Sequence, residues 1–217
     1  MICVSLANLT FEECLAAVNT LDFAEIRLDL LDLSEAQAAQ VFTANSNLIA
    51  TFRPNAVAAD IRKRRLLQAI EAGAAYLDLE VETEDAVKQE LLQAARANGC
   101  QRIISYHDFQ RTPERAELEH ILAWCEEAQP DIIKIACMVN AQRDNARLLG
   151  LLDHDRPLIV VGMGFQGTLT RLVSPLLGGF CTFAAYASDK ATAPGQIIQH
   201  ELEAFQIFLR EQYGVSS

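Results

Sequence analysis

A lysine in the middle of an apolar run is the first residue that asks for chemistry. Lys134 sits in Ile132-Ile133-Lys134-Ile135-Ala136. Burying an ammonium among isoleucines is costly, because desolvation favours the neutral amine. A neutral amine attacks carbonyls and forms Schiff bases. The competing reading is a structural ion pair with Glu25, Asp78 or Glu80. His107, in Ile103-Ile104-Ser105-Tyr106-His107-Asp108, is a side chain that moves protons near neutral pH. A lone histidine at a strand end also serves as a hydrogen-bonded structural residue. Arg27, Arg53 and Arg171 carry planar forks that grip carboxylates or hydroxyls, and each alone also fits a salt bridge to an inward acid. Glu25, Arg27 and Asp29 alternate along one run and so share a face, as do Asp78 and Glu80.

These residues need elements to hold them, and the apolar pattern supplies them in alternation. Strand-like runs are expected over Ile2–Leu6, Glu25–Leu30, Leu48–Phe52, Tyr76–Val81, Arg102–Tyr106, Ile132–Cys137, Leu158–Gly162 and Phe180–Tyr186. Amphipathic helical stretches lie between them, among them Ser34–Phe42, Asp60–Ala72, Thr83–Ala97, Pro113–Ala128, Ala141–Leu152 and Pro194–Tyr213. Thr10 and Ser34 are placed as N-caps. Thr112-Pro113-Glu114-Arg115 puts proline at a first helical position, and Asn98-Gly99 and Gly73 end helices. The expected fold class is therefore α/β: a compact, single-domain (β/α)8 TIM barrel spanning 1–217. At about 27 residues per unit it is short for a barrel of roughly 250. The rival, an open doubly wound sheet, wants a glycine-rich turn after its first strand, and Leu6-Ala7-Asn8-Leu9-Thr10 has none. In a barrel the chemistry gathers at the C-terminal strand ends, where the residues above cluster. The stretch Gly162-Met163-Gly164-Phe165-Gln166-Gly167 reads either as a weak phosphate cradle or as a tight turn into a helix.

Composition narrows the partners. The chain has 18 Lys+Arg against 29 Asp+Glu, a formal net charge of −11, which argues against a nucleic-acid binder. The basic cluster Arg62-Lys63-Arg64-Arg65 is read as the exposed face of a helix. At 51% hydrophobic and 22% charged, the chain is too apolar for disorder. Its unbroken apolar runs, such as Leu158-Ile159-Val160-Val161, fall far short of the roughly 20 residues of a membrane span. The N-terminus carries no basic region of a signal peptide. Six cysteines without a C-x-x-C pair are expected as reduced, mostly buried thiols in the cytoplasm, and four scattered histidines give no zinc pattern.

Taken in order, seven segments resemble type I 3-dehydroquinate dehydratase over nearly the whole chain. They are Glu25-Ile26-Arg27-Leu28-Asp29, Thr51-Phe52-Arg53-Pro54, Tyr76-Leu77-Asp78-Leu79-Glu80, Ser105-Tyr106-His107-Asp108-Phe109 and Ile133-Lys134-Ile135-Ala136. Met163-Gly164 through Gly167 to Thr170-Arg171-Leu172, and Thr192-Ala193-Pro194-Gly195-Gln196, complete the series. The resemblance implies that Lys134 forms a Schiff base with the ring ketone of 3-dehydroquinate. It implies that His107 removes the neighbouring carbon's proton and then protonates the departing hydroxyl. Arg171, Gln196 and Thr192 would hold the substrate carboxylate, and Glu25, Arg27 and Arg53, with Ser5, would complete substrate binding. The implied reaction is a syn dehydration in the shikimate pathway, with no metal and no cofactor. The expected partners are the small-molecule substrate and a second copy of the chain, with no nucleic acid and no membrane.

The sequence departs from the family in one place. A Glu-Gly-Gly usually follows the third-strand arginine, and its glutamate orients the histidine. Here the chain reads Arg53-Pro54-Asn55-Ala56-Val57-Ala58-Ala59-Asp60, shortened and without a glutamate. Glu80 or Asp78 is the expected substitute. Thr192 stands where serine is common, a mild change. Two alternatives stay open at this point: another Schiff-base barrel such as an aldolase, and a degraded barrel that only binds a ligand or serves as a structural domain.

Overall fold

The computed structural model describes residues 1–54 and 58–214. Strands and helices alternate along it. The first half holds β1 Ile2–Leu6, α1 Phe11–Val18, β2 Ala24–Arg27, α2 Glu35–Ala44, β3 Leu48–Thr51, α3 Ala59–Glu71, β4 Tyr76–Glu80 and α4 Asp85–Ala97. The second holds β5 Gln101–Asp108, α5 Arg115–Glu127, β6 Ile132–Met138, α6 Gln142–Leu149, β7 Leu158–Met163, α7 Thr168–Val173, β8 Thr182–Ala185 and α8 Gln199–Tyr213. The sheet order is β7-β6-β5-β4-β3-β2-β1-β8, the order of the (β/α)8 class. The chain divides into two compact units, Ser5–Ile103 and Met1–Val4 with Ile104–Ser217.

In the Ser5–Ile103 unit, β2, β3 and β4 pair in parallel, with Arg27 opposite Thr51 and Thr51 opposite Asp78. Those three residues stand on one rung, and Glu25 lies on the same face because strand side chains alternate. The helices pack apolar faces inward: Cys14, Ala17 and Val18 on α1, Ala38, Val41 and Phe42 on α2, and Leu91, Leu92 and Ala95 on α4. Thr10 and Ser34 cap α1 and α2 as expected. Each accepts from a backbone N–H three residues on, and Glu13 and Gln37 complete the reciprocal boxes.

Two expectations shift in this unit. The second strand stops at Arg27, not Leu30, because Leu30 N–H turns back to the Arg27 carbonyl at 2.9 Å. The basic cluster is not an exposed face. Lys63 and Arg64 are solvated, but Arg62 is 8% exposed and sits with Leu66, Ala69 and Ile70 on the buried stripe of α3. Of the shortened loop after Arg53, residues 55–57 lie outside the described residues.

In the other unit, β6 pairs with β7 in parallel, Lys134 opposite Ile159 and Met138 opposite Met163. Just before β8, Phe180 N–H donates to the Leu158 carbonyl at 2.8 Å, and at its first residue Thr182 N–H donates to the Met1 carbonyl at 3.0 Å. Pro113 is not the first helical residue. Glu114 caps α5 with extended backbone, so the proline precedes the helix. The last helix begins at Gln199, not Pro194, since Ile198 bridges Ala185 and Ala185 N–H donates to the Ile197 carbonyl at 2.8 Å. A segment bonded to a strand cannot also be helical. All six cysteines are buried and none is in a disulfide, and among the described residues no helix is long and apolar enough to cross a membrane.

Candidate active site

The Ser5–Ile103 unit gathers its expected site residues into one buried polar cluster. Glu25 is 3% exposed and takes a hydroxyl on each oxygen, Ser5 Oγ at 2.8 Å and Thr51 Oγ1 at 3.0 Å. Arg53, two residues past β3, spans Asp78 with Nη1 at 2.9 Å and Nη2 at 2.7 Å. Its Nη1 also reaches Glu80 Oε1 at 2.5 Å, and its Nη2 lies 3.9 Å from Glu25. Burial pulls Arg53 down, but Asp78, Glu80 and Glu25 outweigh it and leave the guanidinium raised above its ordinary value. Arg27 grips Asp29 through Nε at 2.9 Å and Nη2 at 2.6 Å. Desolvation lowers Arg27, and the Asp29 hydrogen bond with the charges of Glu25 and Asp29 more than restores it. Both arginines stay charged, because carboxylates replace the water they lost.

Sequence reading missed two members of this cluster. Thr51 carries no charge and looks like any β-branched strand residue. Arg62 donates Nε to the Phe52 carbonyl at 2.6 Å and Nη1 to Thr83 Oγ1 at 3.4 Å, and its Nη2 binds Glu80 Oε2. Its signal was present in the helical period: Arg62, Leu66, Ala69 and Ile70 follow the i, i+4, i+7, i+8 spacing of a core-facing stripe.

The other unit brings Lys134 and Arg171 to opposite ends of one phenylalanine. Lys134 is 5% exposed, and its Nζ lies 4.1 Å from the centroid of the Phe183 ring. Arg171, on α7, donates Nη1 to the Phe183 carbonyl at 3.2 Å. Its Nε and Nη2 have no hydrogen-bond partner among the described residues, although the side chain is 1% exposed. Burial alone draws that guanidinium down to about 10. His107 lies near the end of β5, half-buried, stacked on the exposed Phe109 ring at 6.0 Å and 13°.

Thr192 and Gln196 form their own pair after β8. Gln196 Oε1 accepts from Thr192 N–H at 2.7 Å and from Thr192 Oγ1 at 3.1 Å. This segment is tied to the end of β7, where Gly164 N–H donates to the Pro194 carbonyl at 3.0 Å. It is tied to α7 as well, where Thr168 Oγ1 donates to the Gly195 carbonyl at 3.5 Å. The glycine-rich stretch is the tight turn. Gly162 N–H is occupied by Thr170 Oγ1 at 2.7 Å, and Gly164, at φ 79°, opens the turn that ends at Gly167.

A buried amine, a half-buried imidazole and a desolvated guanidinium with open donors suit a reaction on a carbonyl compound that bears an anion. Known proteins agree in kind. A 3-dehydroquinate dehydratase from Desulfotalea psychrophila is 33% identical over 96% of this chain and 97% of its own. One from Methanopyrus kandleri is 32% identical over 93% and 96%. Among solved structures, the 3-dehydroquinate dehydratase of Geobacillus kaustophilus HTA426 has a TM-score of 0.86 at 21% identity, covering 98% of this chain and 91% of that one. The type I enzyme of Clostridium difficile, solved with covalently modified comenic acid, has a TM-score of 0.83 at 26% identity, covering 97% and 92%. The sequence profile of Type I 3-dehydroquinase matches residues 2–211, and the chain belongs to that family.

Proposed function

We propose that the chain dehydrates 3-dehydroquinate to 3-dehydroshikimate, as a hydro-lyase acting through a lysine Schiff base. Residues 1–217 work as one catalytic domain, in keeping with a family match over residues 2–211. The observation that carries the reading is Arg171. A buried guanidinium whose Nε and Nη2 lack partners among the described residues suits a ligand that supplies an anion. Through Phe183 it is linked to the one buried lysine of β6.

In this mechanism the neutral Lys134 amine attacks the ring ketone, and loss of water gives the iminium. The cationic nitrogen makes the adjacent carbon acidic, and His107 takes its proton to leave an enamine. The enamine pushes out the hydroxyl at the next carbon while His107 returns the proton, so water departs and the double bond forms. Hydrolysis of the iminium, assisted by His107, frees the product and the lysine. Arg171, Thr192 and Gln196 hold the carboxylate. Glu25, Arg27, Arg53 and Ser5 recognise the ring hydroxyls. Glu80 or Asp78 orients His107 in place of the family's missing glutamate, a double duty that a carboxylate's several lone pairs allow. The expected setting is cytoplasmic, with no nucleic acid or membrane as partner and a second copy of the chain in a homodimer.

Borohydride reduction during incubation with 3-dehydroquinate tests the core of the proposal. The reduced protein should gain on Lys134 the mass of one substrate or product molecule, less the water lost on condensation and plus two hydrogens from reduction, and Lys134→Ala should gain none. Absence of an adduct on the wild-type protein would remove the Schiff-base reading and reopen the ligand-binding one. The histidine's partner is tested separately. Glu80→Gln or Asp78→Asn should lower kcat and shift the acid limb of the pH–rate profile. Unchanged turnover and profile in both variants would discard that assignment.

A further inference from the structure

Arg62 is the one arginine of the polar cluster that no strand end supplies. It projects from α3 and uses three edges of its guanidinium: Nε on the Phe52 carbonyl at 2.6 Å, Nη1 on Thr83 Oγ1 at 3.4 Å, and Nη2 on Glu80 Oε2. The other Glu80 oxygen accepts from Arg53 Nη1 at 2.5 Å, and Asp78 holds the rest of the Arg53 fork at 2.9 and 2.7 Å. A carboxylate shared by two guanidiniums cannot swing toward one without leaving the other. Arg62 itself cannot follow, because the Phe52 carbonyl and Thr83 anchor its remaining donors.

Charge points the same way. Without Arg62, Glu80 would lose one of its two guanidiniums and lean on Arg53, 2.5 Å away, which Asp78 already holds at 2.7 Å. Arg53 would then turn further toward protein carboxylates and present less of its edge to a ligand. We infer that Arg62 is a positioning residue for substrate recognition, acting through Glu80 to set the pose of Arg53. This rests on the reading of Arg53 as a group that binds substrate hydroxyls. Arg62 touches no substrate, and its effect belongs in KM more than in kcat.

The test is steady-state kinetics on 3-dehydroquinate for the wild-type protein, Arg62→Gln, Arg62→Lys, Glu80→Gln and the Arg62→Gln/Glu80→Gln double variant, with melting temperatures alongside. Arg64→Gln, an exposed change on the same helix, is the control and should match the wild type. Arg62→Gln should raise KM roughly tenfold while kcat falls less than about threefold. Arg62→Lys keeps the charge but not the fork, so its KM should fall between the two. In the double variant the effects on KM should not multiply, since both changes remove one link. A folded Arg62→Gln with wild-type KM overturns the inference, and so do KM effects that multiply. If Arg62→Gln does not fold, Arg62→Lys decides, and an unchanged KM there overturns it equally. A wild-type protein that does not turn over 3-dehydroquinate removes the functional reading and this inference with it. Wild-type turnover without the KM split removes the inference alone.

Discussion

Arg171 carries a penalty that the folded protein does not relieve by itself. Its guanidinium is lowered to about 10 by burial, which at neutral pH amounts to roughly 3 kcal/mol against the folded state. A folded-state value below the ordinary one favours folding only at high pH, and that advantage is lost as pH falls through about 10. Arg171→Met should therefore raise the melting temperature of the ligand-free protein at pH 7 by a few degrees. The gain should shrink above pH 10, where wild-type Arg171 itself gives up its proton. The same variant should raise KM for 3-dehydroquinate roughly a hundredfold, the usual scale for losing a buried charge partner. Calorimetry across pH and steady-state kinetics check both halves. A variant that is less stable and still binds would show that Arg171 is structural.

At the scale of elements, the segment between β8 and α8 holds its shape through glycine. Gly195 has φ +73°, and a Cβ there would strike the carbonyl oxygen of Gly164. Gly195→Ala thus adds backbone strain and a clash at the joint that seats Thr192 and Gln196. It should cost on the order of 1–3 kcal/mol of stability and raise KM well beyond what exposed substitutions do. A variant with wild-type melting and KM would mean that the segment re-forms freely. Elements also explain where sequence reading ran out. The strands and the caps Thr10 and Ser34 were legible because alternation and capping are local rules. The late start of α8 was not, because Ile197 and Ile198 are held by β8. The local helical pattern carries no trace of that pairing.

Over the whole molecule, a net charge of −11 coexists with a concentration of buried cations. Arg53, Arg62 and Arg171 have little contact with solvent, and each bonds a carboxylate or a backbone carbonyl. Net charge therefore describes the surface that other macromolecules meet and says little about the pocket. The buried cysteines fit the same division: burial pushes the thiols of Cys14 and Cys137 up to about 11 and about 12, and both behave as core residues.

The sequence by itself determined the alternation of elements, the strands that carry Glu25, Asp78 and Lys134, and the family the segments resemble. Those are matters of residue type, spacing and order, and each is written along the chain. Only the tertiary structure decided the partners. It put Arg62 on Glu80, closed Arg53 onto Asp78, and left two donors of Arg171 unmatched among the described residues. The reason is physical. A charge's role depends on what replaces the water it loses, and those replacements come from residues distant in sequence.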